Sequence, residues 1–333
     1  MGGCHSDPQN TIFAISAMTP LNRVERSDNT RRTKNSGAAI MLALWALFLL
    51  SALVISWALD IDSRLSIAGE GARMLKAEAL ACSGAEIALH PLIKPGSPNL
   101  SGQLKDVGGY LVRLTGEGGR LDINYFVRDG DPDKLDVLRR YLENKGIDLN
   151  EREAMVDALQ DWVQQNTGLH HLNAPPESDN YHPAHDVLRR IEELKQVAGW
   201  SEFTSVPGWD DDFTVNTGQG VDLTWASRDV LLALPGMTPE IVDRFLQLRR
   251  GADGIDGTQD DTLFKSNDEV LLAMGFRQDQ ITQPQIKKVL SLSVPVPFFR
   301  ATSTGRSGVA TRTIQVVFTR VGIQPSVISW KEF

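Results

Sequence analysis

The sequence predicts an α+β chain: a long N-terminal helix packed on a small antiparallel sheet that is interrupted by a large all-helical insertion. Three observations carry this reading. A charge-free apolar run occupies Ala38 to Leu59, strand-like segments lie both before and after the middle of the chain, and the middle itself repeats with helical period. At 333 residues the chain suits two or three domains. Its 41% hydrophobic and 23% charged residues exclude wholesale disorder and a polytopic membrane protein.

The run from Ala38 to Leu59 would span roughly 33 Å as a helix, enough for a bilayer core. Residues 1–37 carry Arg23, Arg26, Arg31, Arg32 and Lys34 against Asp7, Glu25 and Asp28, so this segment is net positive in a chain of net charge −8. Basic residues before a span stay in the cytoplasm, which puts everything after Leu59 on the far side. An acidic ectodomain argues against nucleic acid as a partner. Cys4 and Cys82 then face different compartments and do not pair. Cys82, in an Ala-rich stretch, reads as a packing residue rather than a nucleophile.

The apolar core is too long for a cleaved secretory signal, and it ends in Ser56-Trp57-Ala58-Leu59 without a small-x-small site. Arg31-Arg32 is not followed by the apolar residues of a twin-arginine signal. A prepilin-type leader fits better: Lys34-Asn35-Ser36-Gly37 precedes Ala38, so cleavage after Gly37 leaves the helix at the new N-terminus. Met18 is an alternative start to Met1. Beyond the span, Ile61, Leu65, Ala68, Ala72, Leu75, Ala79 and Cys82 recur at steps of four and three, with Asp62, Arg64, Glu70, Arg73, Lys76 and Glu78 on other faces. Pro91, Pro95 and Gly96 end the helix. A helix apolar all round and then one-sided resembles a type IV pilin or pseudopilin stem.

The domain reading that follows assigns 1–37 to a cytoplasmic leader, 38–59 to the span and 60–92 to the amphipathic stem. Segments 93–130 and 293–333 form the sheet, and 131–292 forms the inserted helical domain. Gly109 to Thr115 and Arg120 to Phe126, joined by Gly116-Glu117-Gly118-Gly119, read as a hairpin. Phe298 to Ser303, Ala310 to Arg320 and Ser326 to Trp330 read as returning strands, with Gly305 and Gly308 between the first two. In the insertion, Leu135, Leu138 and Leu142, then Met155, Leu159, Trp162 and Val163, mark two helices, and Ile191, Leu194 and Val197 a short third. Leu169 to Pro183 reads as loop. Further helices are expected at Ser227 to Leu234, Pro239 to Arg250, Asn267 to Met274 and Pro284 to Leu292, with Ser227 and Asn267 as N-caps.

Taken in order, these segments resemble the general secretion pathway protein K family, the large minor pseudopilins of type II secretion systems. The resemblance runs from about Asn35 to the end. It rests on the Gly37 junction and apolar helix, Gly119-Arg120-Leu121-Asp122-Ile123-Asn124, Leu159-Gln160-Asp161-Trp162, Glu193-Leu194-Lys195-Gln196-Val197-Ala198-Gly199, and the helical pair around Leu234-Pro235-Gly236-Met237. It implies a single-pass inner-membrane protein with a periplasmic C-terminal domain. A prepilin peptidase would cleave it between Gly37 and Ala38, and Ala38 would be N-methylated. Its partners would be other minor pseudopilins, with which it would cap the pseudopilus and assist export of folded periplasmic proteins. Most pilins carry Glu as the fifth mature residue, where it meets the amine of an adjacent subunit. Here that position is Leu42, which suits a subunit with nothing above it.

The remaining candidates are local. Asp253, Asp256, Asp260 and Asp261 lie with Gly254 and Gly257 in one nine-residue segment, the oxygen-rich, glycine-rich composition that calcium takes, although not with EF-hand spacing. Asp129-Gly130-Asp131-Pro132-Asp133 is a poorer version. His170, His171, His182 and His185 have zinc-ligand chemistry without a standard zinc spacing. No nucleophile with an adjacent base, phosphate loop or carboxylate pair stands out, so a non-enzymatic protein is expected. Leu231 to Thr238 followed by a helix resembles a helix-hairpin-helix. The alternative function is therefore a membrane-anchored DNA-binding or uptake protein, in which Arg244, Arg249 and Arg250 would assist phosphate contacts.

Overall fold

A computed structural model describes residues 36–165, 170–258, 260–291, 298–320 and 324–333. All of the expected leader except Ser36 and Gly37 lies outside the described residues, as does Gln259 of the acidic segment. The chain divides into two compact units, one ending at Arg64 and one beginning at Leu65. In the first, helix α1 (Ser36–Leu89) exposes every side chain from Gly37 to Arg64. Its apolar residues have no protein core to join. It is, among the described residues, the one helix long and apolar enough to cross a membrane.

In the second unit α1 continues to Leu89. A short turn leads to β1 (Ser101–Leu104) and β2 (Gly108–Gly116). The chain then leaves the sheet through β3 (Leu121–Asp122), α2 (Ile123–Val127), α3 (Pro132–Asn144), α4 (Leu149–Val163), β4 (Phe213–Thr214), α5 (Arg228–Ala233), α6 (Pro239–Arg249), α7 (Asn267–Ala273), α8 (Gln278–Ile281) and α9 (Pro284–Val289). It returns as β5 (Phe298–Ser307), β6 (Ala310–Thr319) and β7 (Ser326–Glu332). The main sheet is antiparallel throughout, in the order β1-β2-β5-β6-β7, so the insertion separates two strands that are neighbours in space. A separate parallel pair, β3 and β4, belongs to the helical module.

The helix meets the sheet through small residues. Ala77, Ala81, Ala85 and Ala88 are buried on α1, and Gly305 of β5 lies directly beneath them. A Cβ at Gly305 would fall 2.0 Å from Ala77 O and 2.5 Å from Ala81 N, so only glycine lets the two backbones approach this closely. The core between them is completed by Leu114, Ala301, Ile314, Val316 and Phe318. Arg320 closes the end of α1. Its guanidinium donates to Ala88 O and Ile93 O and lies 4.7 Å from the Phe299 ring and 5.2 Å from that of Phe318. The cation thus meets helix-terminal carbonyls where the helix dipole favours it.

The helical module has its own core, centred on Phe126, Tyr141, Met155, Trp200, Phe213 and Phe245. Tyr141, Trp200 and Phe203 pack edge-on around Phe213. α3 and α4 fall where the leucine spacing places them, and Ser227 caps α5 by accepting from Val230 N.

Four details depart from the sequence reading. The hairpin expected across 109–126 is absent: β2 pairs with β1 and β5, and Asp122 instead caps α2 by accepting from Tyr125 N. Trp225 lies over Gly116 and Gly119, so the chain turns into the module rather than back along β2. The segment around Leu194 is a 3-10 turn, Ile191–Gln196, rather than an α-helix. Gly305 lies inside β5, and the β5–β6 turn is made by Gly308, at φ +61°, and Val309. The cap of α7 is Ser266, which frees the Asn267 side chain to accept from Leu223 N and donate to Val221 O and Ser291.

Candidate functional sites: the outer helix face, the acidic loop and the module interface

The stripe seen in the sequence is not the face that meets the sheet. Leu65, Ala68, Ala72, Leu75 and Ala79 are all exposed, at 67% for Leu65 and 68% for Leu75, and Cys82 is half-buried. At 100° per residue this stripe lies roughly 160° around α1 from Ala77, Ala81, Ala85 and Ala88. The second half of the helix therefore has two apolar faces: a small-residue one covered by the sheet, and a larger one left open. In the first unit, Gly37, Ala38 and Leu42 lie on the exposed first turns of α1.

The acidic segment forms a loop after α6. Carboxylate oxygens of Asp253, Asp260 and Asp261 all lie within 4.8 Å of one another. Gly251, Gly254 and Gly257, at φ +62°, +70° and +92°, bend the chain to bring them together. Asp260 accepts from Ala252 N, Asp253 N and the Thr258 hydroxyl, and Asp261 accepts from Gly257 N at 2.6 Å. The Thr258 hydroxyl and these amides hold the Asp260 carboxyl below its ordinary value, whereas burial pushes Asp261 up. Asp256 is not part of the cluster. Its two oxygens are taken by Arg249 Nε at 2.9 Å and Arg250 Nε at 3.0 Å, which removes it from the expected ligand set. Three all-oxygen donors at this spacing fit a hard divalent cation.

The other candidates have structural partners. His170 Nδ1 and His171 Nδ1 meet the two oxygens of Asp161 at 2.6 and 2.5 Å. His185 bridges Gln164 O and Glu177, and His182 is exposed. Among the described residues no histidine joins a group of three metal-ligating side chains. In the poorer acidic segment, Asp129 pairs with Lys134 and Asp131 and Asp133 pair with Lys288. The hairpin at Gly236 has a second copy that the sequence reading missed. Ser227 and Ser266 cap α5 and α7, glycines at positive φ follow nine residues later at Gly236 and Gly275, and α6 and α8 begin beyond them. Glu240 and Asp279 occupy the first turns of α6 and α8, an unfavourable setting for phosphate.

The strongest polar contact joins the helical module to the sheet. Glu117, fully buried, receives Arg300 Nε and Nη2 at 2.7 and 2.8 Å, Thr214 Oγ1 at 2.6 Å and Arg120 Nη1 at 3.2 Å. Burial works against its charge. The positive charges of Arg300 and Arg120 and the hydrogen bonds from Arg300 and Thr214 outweigh it, and its carboxyl lies below the usual range. Clefts of about 540 and 680 Å³ open on the two sides of this ion pair, and Arg300 and Gln315 line both. A lone Glu in a glycine run was the available sequence signal, and nothing in it points to a partner 183 residues away.

No protein-family model matches the chain, and no curated protein matches it by sequence. The structure is similar to a chain in the crystal structure of the GspK-GspI-GspJ complex from the enterotoxigenic Escherichia coli type 2 secretion system, with a TM-score of 0.53 at 14% identity. The match covers 82% of this chain and 99% of that one. The shared fold is thus the one the sequence resemblance implied, a long apolar helix, an antiparallel sheet and a helical insertion.

Proposed function

We propose that this chain is a minor pseudopilin of a type II secretion system: a non-enzymatic subunit at the tip of the pseudopilus that assists assembly and export of folded periplasmic proteins. The observation that carries the reading is α1, a 54-residue helix apolar all round in its first part and two-faced beyond it. One face is consumed by the protein's own sheet, and the other offers Leu65, Leu75 and small alanines to a neighbouring helix. The likeness to a chain of the GspK-GspI-GspJ complex supports the same reading.

In this reading α1 anchors the protein once in the inner membrane, residues 1–37 are a cytoplasmic leader, and the sheet and helical module are periplasmic. A prepilin peptidase cuts between Gly37 and Ala38, Ala38 is methylated, and Leu42 leaves no carboxylate for a subunit above. Other minor pseudopilins are the partners. A calcium ion held by Asp253, Asp260 and Asp261 would neutralise three carboxylates and fix the loop after α6. N-terminal sequencing of the membrane-extracted protein, from cells with an active prepilin peptidase, tests the reading. A chain beginning at Ala38 is expected, and an intact leader overturns it.

A further inference from the structure

The module interface holds an excess of positive charge that the fold does not use. Arg120 and Arg300 share the one carboxylate of Glu117, and Arg249 and Arg250 share the one carboxylate of Asp256. Arg113, exposed on β2, has no partner among the described residues, while Asp212 is matched by Tyr141 Oη and Lys145. Arg113, Arg120, Arg250 and Arg300 line the 540 Å³ cleft, against which Asp211 is the one carboxylate left unmatched. A cationic cleft in a chain of net charge −8 runs against the general balance of the molecule.

That cleft adjoins an apolar groove. A second cavity of about 430 Å³ is lined by Pro98, Leu100, Leu111, Val112 and Ile255, and it shares Leu111, Arg113 and Asp256 with the first. The acidic loop forms one wall of it. Gly257, at φ +92°, sets the loop close against β2: a Cβ there would lie 3.3 Å from Leu114 O and 3.8 Å from Arg113 Cγ.

We propose that this two-part trough receives an extended peptide segment of a partner chain, with an apolar side chain in the groove and a carboxylate on Arg113 and Arg250. The charge surplus selects the carboxylate, and Leu111 and Ile255, both exposed in the free chain, supply the apolar contact. The inference stands on the trough and does not depend on the filament reading.

The full chain in detergent micelles is titrated with a fluorescent probe peptide, acetyl-Gly-Leu-Glu-Gly-Leu-Glu-amide, and with versions in which Gln replaces Glu or Ala replaces Leu. Saturable binding that weakens with salt is expected, with affinity falling about tenfold for each altered peptide. Arg113→Glu, at a side chain without a fold partner, is expected to weaken the parent probe by at least the same factor while the melting temperature stays unchanged. Ile255→Glu supplies the second variant, and Arg306→Glu, outside the trough, the control. The proposal is overturned by no saturable binding of the parent probe up to about 1 mM. It is equally overturned by affinities that the Glu-to-Gln peptide or both trough variants leave unchanged, or by a loss as large for Arg306→Glu.

Discussion

The two faces of one sheet are joined to their neighbours by opposite kinds of chemistry. Against α1, Gly305 and a row of alanines bring backbone onto backbone, and no charged side chain of α1 lies in the buried contact. Against the helical module, the sheet offers Arg300 to the buried Glu117 and Lys331 to Glu192, with open clefts beside them. The first junction is set by shape and gives little room for movement or for titration. The second is set by charge, so it responds to pH and leaves space for other molecules.

The largest break in that comparison is expected from Glu117→Ala. It leaves two guanidiniums facing a buried void, and a loss of about 4 kcal/mol is expected in urea unfolding. The pH dependence has a definite sign. Glu117 has a folded pKa below its ordinary value, so the unfolded chain takes up the proton first as acid is added. Its contribution is therefore complete above the ordinary glutamate range and is lost as pH falls through the folded value. Unfolding midpoints measured from about pH 7 to pH 3 should show a smaller acid loss in Glu117→Gln than in the parent.

A somewhat smaller effect is expected on the other face. Gly305→Ala forces backbone apart and should lower stability by about 3 kcal/mol, with no change in the shape of the pH profile. Gly84→Ala, whose Cβ would meet the movable side chains of Ser303 and Val112, should cost only about 1 kcal/mol. Equal losses in the two variants would count against backbone contact as the reason for Gly305. The smallest effect concerns the loop after α6. Millimolar calcium should raise the melting temperature of the parent and of Asp256→Asn, although the latter starts lower because Arg249 and Arg250 lose their partner. It should not raise that of Asp260→Asn/Asp261→Asn, and an equal rise there would remove the carboxylate cluster as the cation's site.

Local signals carried far along this chain. Pro132, Pro239 and Pro284 each stand at the start of a helix, Ser227 caps another, and the β-branched run from Thr313 to Val317 is a strand. The periodicity of α1 was legible, but not which of its apolar faces the sheet would cover. Large side chains dominate a hydrophobic pattern, whereas close packing of backbone on backbone selects alanine and glycine. The four clustered aspartates were equally visible as composition. Their division into three that converge and one that pairs with arginine was not, because Arg249 and Arg250 reach Asp256 only once α6 has ended and the chain has folded back.

By itself, then, the sequence determined the long helix, its apolar first half, the order of strands and helices along the chain, and the carboxylate-rich loop. Each depends on residues close together in the chain, where period, capping and composition act directly. Only the tertiary structure decided that β2 and β5 are neighbours across the whole insertion, and that Gly305 accepts the helix backbone. It also decided that Glu117 finds Arg300, and that a cationic trough remains beside that pair. These depend on distances between residues far apart in sequence, and charge pairing or close approach has no meaning until the fold has brought them together.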